Sequence, residues 1–187
     1  MAVSQMLLGL GGAIGSGKTT AADWLESRGA VQRALADPLK EMCRIGFGLS
    51  REQLYGSTED KAAVDERWGV SPRQILQMVG TELFRERLGE LVPQIGSEFW
   101  VRSFQVWYGQ FRKEHPETLV VLSDVRFPNE EQMVHRLGGE TILIQRDSVG
   151  NGTGHVSETS SASCHWDHVV INNGTLDELY NKLEDLV

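Results

Sequence analysis

Apolar and polar residues follow two alternating periods along this chain. Short, mainly apolar runs stand at 6–10, 30–36, 118–123, 140–145 and 169–171, and such runs are typical of strands buried in a parallel sheet. Between these runs, apolar residues recur every three or four positions, which is the period of a helix with one buried face. The alternation predicts an α/β fold in three layers, with a five-stranded parallel sheet and helices on both of its faces.

Capping signals mark where two of the helices begin. Ser71 and Gln74 have the spacing of a capping box around Pro72, and Thr175 and Glu178 repeat this spacing near the end of the chain. Each helix is expected to bury one apolar stripe. The predicted stripes are Ile75, Met78, Val79 and Leu83 after Ser71, and Leu176, Leu179, Leu183 and Leu186 after Thr175. A third helix, predicted from Ser97, carries an aromatic stripe interpreted mainly as core: Phe99, Trp100, Phe104, Trp107, Tyr108 and Phe111.

Two stretches fit neither period. The stretch 46–69 mixes glycine, serine and acidic residues with scattered apolar residues, which predicts an irregular insertion. The stretch at about 146–165 is long, polar and almost free of large apolar residues. A connection of this length in a compact domain is usually a lid or a disordered segment, so we expect a lid there.

Composition and charge narrow the class of protein. The chain has 187 residues, 40% of them hydrophobic, so we expect a single domain over 1–187 with a helical region at about 38–114. A net charge of −8 argues against a stable complex with nucleic acid, because that partner requires a basic surface. The two cysteines suit a reducing compartment, and no apolar run is long enough to cross a membrane. With no signal-peptide pattern at the start, these features predict a cytoplasmic protein without a membrane partner.

The clearest chemical signal follows the first predicted strand. Residues Gly12 to Thr19 match the phosphate-binding pattern of a glycine, four free positions, then glycine, lysine and threonine. Glycines let backbone N–H groups turn toward phosphate oxygens, and the helix that follows adds its positive N-terminal end. Lys18 then supplies a charge for the β and γ phosphates of a nucleotide, and the hydroxyl of Thr19 is placed to bind Mg²⁺.

Other charged residues stand just after predicted strands. Asp37 and Lys40 follow the second strand, Asp124 closes the third, and Arg126 and Glu130 come next. In open α/β sheets the carboxyl ends of the strands form the edge at which ligands bind. Asp124 therefore has the usual place of a carboxylate that orders Mg²⁺ through water or binds a second substrate. The alternative is that Asp124 caps the following helix.

A phosphate loop is shared by small-molecule kinases, nucleotide-dependent switches and nucleic-acid motors. A motor ordinarily needs a longer chain and a basic track, and nothing in the sequence identifies the loops with which a switch senses the γ phosphate. A kinase needs a second anion site and a lid that excludes water, because phosphoryl transfer depends on alignment and charge neutralisation. Lys40, Arg73, Arg85 and Arg126 are candidates for that anion site, and the polar loop after Arg146 is the candidate lid. A kinase is favoured, with a switch or motor as the alternative.

Six stretches resemble the deoxynucleoside monophosphate kinases of tailed bacteriophages, a branch of the nucleoside monophosphate kinase group of phosphate-loop proteins. In the family's order they are GAIGSGKTTAADWL, ADPLK, SPRQILQMVGTELF, FWVRSF, VVLSDVRFPNE and the segment from LIQRDS through GHVSETS to INNGTLDEL. The resemblance implies transfer of the γ phosphate of ATP, with Mg²⁺, to a deoxynucleoside monophosphate (dNMP), giving the diphosphate (dNDP) and ADP. An alternative is another small-molecule kinase, such as one that acts on dephospho-coenzyme A.

The resemblance also implies the architecture and the site residues. The helical region at about 38–114 would bind the dNMP, the lid would close from Arg146, a homodimer is left open, and a phage-encoded protein would act in the host cytoplasm. The implied ATP ligands are Gly12, Ala13, Ile14, Gly15, Ser16, Gly17, Lys18, Thr19, Thr20 and Arg146. The implied acceptor-site residues are Asp37, Lys40, Arg73, Gln77, Gly80, Thr81, Trp100 beside the base, Asp124, Arg126, Glu130, His155 and Glu158. The expected catalytic set is Lys18, Asp37, Asp124 and Arg126, and His155 is expected to position the lid, with general base as the alternative.

Overall fold

The computed structural model describes residues 6–147 and 163–187. Its strands are β1 (Leu7–Gly11), β2 (Val31–Arg33), β3 (Val120–Leu122), β4 (Glu140–Gln145) and β5 (His168–Ile171). Its helices are α1 (Lys18–Ser27), α2 (Asp37–Phe47), α3 (Arg51–Tyr55), α4 (Thr58–Ala62), α5 (Pro72–Gln77), a π-helix (Met78–Arg87), α6 (Leu88–Leu91), α7 (Phe99–Glu114), α8 (Pro128–Arg136) and α9 (Leu176–Glu184). The chain divides into two compact units, one of Met1–Ala34 with Gln105–Val187 and one of Leu35–Phe104.

The first unit is built on a five-stranded sheet in the order β2-β3-β1-β4-β5. Each neighbouring pair is parallel. Parallel strands need a crossover between them, and the crossovers from β1 to β2 and from β3 to β4 run through the helices α1 and α8. All residues of β1 and β3 are buried as a result. The predicted five-stranded parallel sheet is confirmed, although β2 and β3 are shorter than the apolar runs that predicted them.

Helices cover both faces of this sheet, as predicted. On one face, α1 and α9 pack against side chains of β1, β3, β4 and β5 in a single apolar cluster, to which α9 contributes Leu179 and Leu183. On the other face, α8 buries Met133 and Val134. A β-carbon on Gly9 of β1 would lie 3.1 Å from a methyl group of Val134, so glycine lets α8 approach the strand closely. No helix within 6–147 or 163–187 combines the length and the hydropathy that a membrane crossing demands.

The second unit contains helices that begin with capping boxes. Ser50, Ser57 and Ser71 each accept a hydrogen bond from the backbone N–H three residues later, at the starts of α3, α4 and α5. The capping box predicted at Ser71 is therefore confirmed. The prediction of an irregular insertion over 46–69 is wrong, because this stretch contains α3 and α4. Helices of five residues are too short for their apolar positions to show a helical period.

Asp65 closes the stretch that holds α3 and α4. Its buried carboxylate accepts hydrogen bonds from Gln53 Nε2 at 2.8 Å and from Arg67 Nε at 2.9 Å, and its backbone pairs with that of Val70. The hydrogen bonds from Arg67 and then Gln53 hold the pKa of the Asp65 carboxyl well below its usual range. The ionised carboxylate thus ties the segment 65–67 to α3.

The helix after Ser71 does not bury the whole predicted stripe. Its inward face centres on Ile75, Leu76 and Val79, so Met78 falls beside that face and is 51% exposed. Leu83 is 44% exposed because it lies in the π-helix, where hydrogen bonds from i to i+5 widen the turn and shift the phase of the stripe. The predictions for Met78 and Leu83 are wrong.

The aromatic stripe of α7 is mainly core, as predicted. Trp100, Phe104 and Tyr108, spaced four residues apart, are buried, and α7 begins at Phe99 rather than at Ser97. In α9 the predicted stripe holds except at its first position. Leu176 is exposed, while the other leucines pack against the apolar cluster of the first unit.

Candidate functional site

The loop between β1 and α1 has a backbone that requires glycine. Gly12, Gly15 and Gly17 have φ angles of 137°, 81° and 106°, a region that side chains disfavour. A β-carbon on Gly12 would also lie 2.2 Å from the carbonyl oxygen of Ile144 in β4. The loop therefore combines three unusual backbone conformations with a close approach to the neighbouring strand, as expected for a backbone that wraps around phosphate groups.

Lys18 begins α1 directly after this loop, where the backbone N–H groups of the first turn and the positive end of the helix dipole also lie. Its ammonium group donates hydrogen bonds to the carbonyl oxygens of Gly12 at 2.5 Å and Ala13 at 2.7 Å. Thr19 follows in the first turn with an exposed side chain. The lysine charge and a hydroxyl ligand thus stand beside the same loop backbone.

Ser16 carries a buried hydroxyl that has no hydrogen-bond partner among the described residues. Its side chain is 1% exposed, and its Oγ lies 2.8 Å from the place that a β-carbon of Gly12 would take. An unpaired buried hydroxyl costs about 1–3 kcal/mol, which a phosphate oxygen in the loop would recover as an acceptor. The residues of the loop therefore fit a bound phosphate group.

The sheet brings Asp124 next to the phosphate loop. Strands β1 and β3 are neighbours, and the N–H of Val125 donates to the carbonyl oxygen of Leu10 at 3.0 Å. Asp124 precedes Val125 and is half-buried. Its carboxylate and the hydroxyl of Thr19 are both hard oxygen donors of the kind that Mg²⁺ prefers, so the donor set fits this ion.

Glu130 fixes the turn that presents Arg126. The side chain of Glu130 is 3% exposed, and its Oε2 accepts hydrogen bonds from the N–H groups of Arg126 at 2.8 Å and Phe127 at 3.1 Å. The guanidinium of Arg126 is exposed and forms no ion pair within the described parts of the chain. The Arg126 guanidinium is thus carried by a backbone segment that the buried Glu130 carboxylate holds in place.

Cys164 contacts the backbone of the same turn. Its thiol donates to the carbonyl oxygen of Arg126 over 3.9 Å. Burial, with the carboxylates of Glu131 and Glu130, raises the pKa of this thiol to about 11. The thiol therefore keeps its proton at neutral pH and supports the turn without acting as a nucleophile.

The second unit carries seven of the residues predicted to bind the acceptor, together with Arg85. Asp37 begins α2, and the ammonium of Lys40 lies 4.2 Å from the ring centre of Tyr55. Arg73 and Gln77 are exposed one turn apart on α5, so their side chains can reach a common ligand. Gly80, Thr81 and Arg85 follow in the π-helix. Helices with i to i+5 bonds are often found at functional sites.

Trp100 and Gly80 are in direct contact. The indole Nε1 of Trp100 donates to the carbonyl oxygen of Gly80 at 2.9 Å, and the ring is buried against Phe84 and Phe99. A β-carbon on Gly80 would lie 2.6 Å from the side chain of Leu39 in α2. Both residues therefore occupy core positions that bind the π-helix to α7 and α2, and their predicted contact with the acceptor stays a prediction.

The predicted lid is described only at its ends. Arg146 is exposed directly after β4. His155 and Glu158 lie outside the described residues, and so does the greater part of the stretch 146–165. The roles predicted for these two residues stay predictions.

Two residues that the sequence analysis did not single out contact the phosphate loop region. The side-chain amide of Asn172 donates to the carbonyl oxygen of Ser16 at 2.8 Å. The ring of Trp166 lies against Gly11, where a β-carbon would come within 1.9 Å of it. Asn172 directly follows a predicted strand, which is the signal that pointed to Asp124, but this position alone does not predict a contact with Ser16. Trp166 has no such signal.

Comparisons with known proteins identify the family. The family model described as deoxynucleotide monophosphate kinase matches residues 53–183 of this chain. A protein of Acanthamoeba polyphaga mimivirus, provisionally named deoxynucleotide monophosphate kinase, is 41% identical over 182 residues. The alignment covers 96% of this chain and 94% of the mimivirus protein. The similarity therefore extends over nearly the full length of both chains.

More distant matches agree with this result. The deoxynucleotide monophosphate kinases of Escherichia phage RB69 and Enterobacteria phage T4 are each 24% identical, over 66% and 65% of this chain. These alignments span about half of the phage proteins, 47% and 46% of their lengths. The crystal structure of TT1252 from Thermus thermophilus has a TM-score of 0.53 and 21% identity, covers 97% of this chain and 96% of its own, and supports the fold alone. The chain therefore belongs to the deoxynucleotide monophosphate kinase family, as the resemblance implied, and is a phosphotransferase.

Proposed function

We propose that this protein transfers the γ phosphate of ATP to a deoxynucleoside monophosphate and releases dNDP and ADP. The observation that carries the proposal is the glycine-dependent loop at the start of α1, with the ammonium of Lys18 held over it and the unpaired hydroxyl of Ser16 buried within it. Each of these features suits a bound polyphosphate. Membership of the family supports a deoxynucleoside monophosphate as the acceptor.

On the donor side, the backbone from Gly12 to Thr20 binds the phosphates of ATP, and Lys18 neutralises charge on the β and γ groups. Arg146 adds positive charge from the start of the lid. Mg²⁺, when bound, would offset the negative charge of these phosphates. Thr19 would hold the ion directly, and Asp124 would hold it through water.

On the acceptor side, we expect the exposed side chains of Arg73 and Gln77, one turn apart on α5, to recognise the monophosphate. We expect Arg126, in the turn before α8, to supply a second guanidinium. Charge on the transferring phosphoryl group is spread over its oxygens, so converging cations are what this reaction requires. The remaining acceptor-site candidates are Asp37, Lys40, Gly80, Thr81, Trp100, Glu130, His155 and Glu158.

Three further expectations accompany the proposal. The lid at about 146–165 excludes water, because water in the site would divert transfer to hydrolysis. The enzyme acts in the cytoplasm, where its nucleotide substrates are found. A homodimer stays open as a prediction, and the molar mass measured by light scattering at working concentration decides between monomer and dimer.

A coupled assay for ADP tests the proposed function. Purified protein with ATP and Mg²⁺ is given each common ribo- and deoxynucleoside monophosphate in turn, then dephospho-coenzyme A, then DNA. The proposal expects ADP to form with one or more deoxynucleoside monophosphates. ADP formed only with dephospho-coenzyme A would support the other small-molecule kinase, and ADP formed only with DNA would support a motor. Protein carrying Lys18→Ala, purified in parallel, controls for contaminating kinases.

A further inference from the structure

A side chain at the far end of the sequence holds the phosphate loop. Asn172 and Ser16 are 156 positions apart, yet the amide Nδ2 of Asn172 donates to the carbonyl oxygen of Ser16 at 2.8 Å. Asn172 is 8% exposed, so water does not readily compete for this bond. Among the described residues, Ser16 is the only residue of the loop to which the Asn172 side chain donates a hydrogen bond.

The backbone of Asn172 is itself held in place. Its N–H donates to the carbonyl oxygen of Gln145 at 2.7 Å, which ties the end of β5 to the end of β4. The carbonyl oxygen of the preceding Ile171 accepts a hydrogen bond from Lys182 Nζ at 2.8 Å. The amide of Asn172 therefore reaches the loop from a fixed position on the sheet.

The bond to Ser16 also sets the direction of the next N–H group. In a trans peptide the C=O and the N–H point to opposite sides, so holding the Ser16 carbonyl on one side directs the Gly17 N–H to the other. Gly17 has φ 106°, and a β-carbon there would lie 2.3 Å from Asn172 Nδ2. Residue 17 is thus glycine both for its backbone conformation and because the Asn172 amide takes the space beside it.

We propose that Asn172 is a positioning residue for ATP: by holding the Ser16 carbonyl, its amide keeps the Gly17 N–H turned toward the nucleotide phosphates. The inference rests on the proposed use of this loop to bind ATP. Asn172 touches the loop and not the reacting atoms. Its contribution is to hold the N–H ready before ATP arrives, which removes an ordering cost from binding.

Asn172→Asp separates this role from ordinary packing. Aspartate has nearly the same shape, but an ionised carboxylate cannot donate to the Ser16 carbonyl and adds negative charge near the phosphates. A protonated carboxyl can donate again. A buried carboxyl facing a carbonyl oxygen keeps its proton to a higher pH than free aspartate, so the variant should regain function as the pH falls. Asn181→Asp, which adds the same charge at an exposed position on α9, is the matched control.

Isothermal titration calorimetry with Mg²⁺-ATP measures the effect between about pH 8 and pH 5. At the upper pH we expect Asn172→Asp to bind ATP at least about tenfold more weakly than wild type, with the ratio shrinking as the pH falls. Asn181→Asp should match wild type throughout, and the KM for the deoxynucleoside monophosphate should stay within about twofold in both variants. Asn172→Ala removes the donor without adding charge, so it should weaken ATP binding without this pH dependence. This variant also provides the test if Asn172→Asp does not fold.

Two results would overturn the inference. One is a folded Asn172→Asp that binds ATP as wild type does at every pH. The other is a pH-independent loss shared equally by ATP and the monophosphate, as general damage to the fold would produce. If Asn172→Asp does not fold, an Asn172→Ala variant with wild-type affinity for ATP contradicts the inference. A wild-type protein that binds no ATP would instead refute the proposed function and the inference together.

Discussion

The carboxylate of Glu130 accepts a hydrogen bond from the backbone N–H of Arg126 over 2.8 Å. Its second bond, from Phe127, makes this buried side chain the acceptor for two consecutive N–H groups at the start of α8. Glu130, four positions after Arg126, thus determines the shape of the turn that carries this arginine.

Replacing Glu130 should separate this structural role from substrate binding. Glu130→Ala removes two part-buried hydrogen bonds, so we expect a loss of about 1–3 kcal/mol in the free energy of unfolding and a lower kcat. Glu130→Gln keeps an acceptor oxygen and removes only the charge. This variant should therefore retain most of the wild-type stability and most of the wild-type kcat. Urea unfolding and steady-state kinetics measure the two effects. A Gln variant with normal stability and severely reduced turnover would show instead that the charge itself binds substrate.

Arg126→Ala should reduce turnover on the order of 10²-fold, the usual cost of removing one donor that stabilises charge in a transition state. Stability should change little, because this exposed guanidinium forms no ion pair within 6–147 or 163–187. Arg136→Ala, at the C-terminal end of α8, is the control and should keep wild-type kinetics. Near-normal turnover in Arg126→Ala would remove this arginine from the site.

Gly11→Ala should destabilise the first unit by about 1–3 kcal/mol, the typical cost of overpacking. The clash is with the Trp166 ring, 1.9 Å from the added carbon, and the backbone of Gly11 does not have a positive φ. In a double-mutant cycle, Trp166→Ala should relieve much of this cost. Gly109→Ala, an exposed position in α7 where a β-carbon meets nothing within 4 Å, should be neutral or stabilising. Additive losses in the cycle would refute the contact.

Asp65 should make the second unit sensitive to acid. Its pKa is lower in the folded state than in the unfolded chain, so its stabilising effect is present above about pH 4 and is lost as the pH falls below that value. We expect Asp65→Asn to be less stable than wild type at pH 7 and to lose less stability on acidification. Urea unfolding across the pH range measures both. Glu41→Gln, which breaks an exposed pair with Arg44, should have little effect at any pH and is the control.

Features that depend on neighbouring residues were readable in the sequence. The apolar runs predicted all five strands, the capping box at Ser71 starts a helix, and the spacing of Gly12, Gly17 and Lys18 identified a loop with the expected backbone. In each case the interacting groups are a few positions apart or share one period. The role of Asp124 was predicted in the same way, from its place at a strand end, and stays a prediction.

Features that depend on distant contacts or on a change of helical period were not readable. Leu83 follows the α-helical spacing in the sequence, but the π-helix moves it off the buried face. The bond from Asn172 to Ser16 depends on the order of the strands, which places β5 two positions from β1. The sequence offers no local pattern for either, because both are decided by tertiary packing.

Transfer of the γ phosphate of ATP onto a deoxynucleoside monophosphate can be followed with a radioactive label. The most direct measurement incubates the protein with Mg²⁺, ATP labelled with ³²P in its γ phosphate and each deoxynucleoside monophosphate, and separates the products by chromatography. We expect label in the β position of a deoxynucleoside diphosphate with wild type, and none with Lys18→Ala. Label that appears only as inorganic phosphate with every monophosphate tested would show that the protein is not a deoxynucleoside monophosphate kinase.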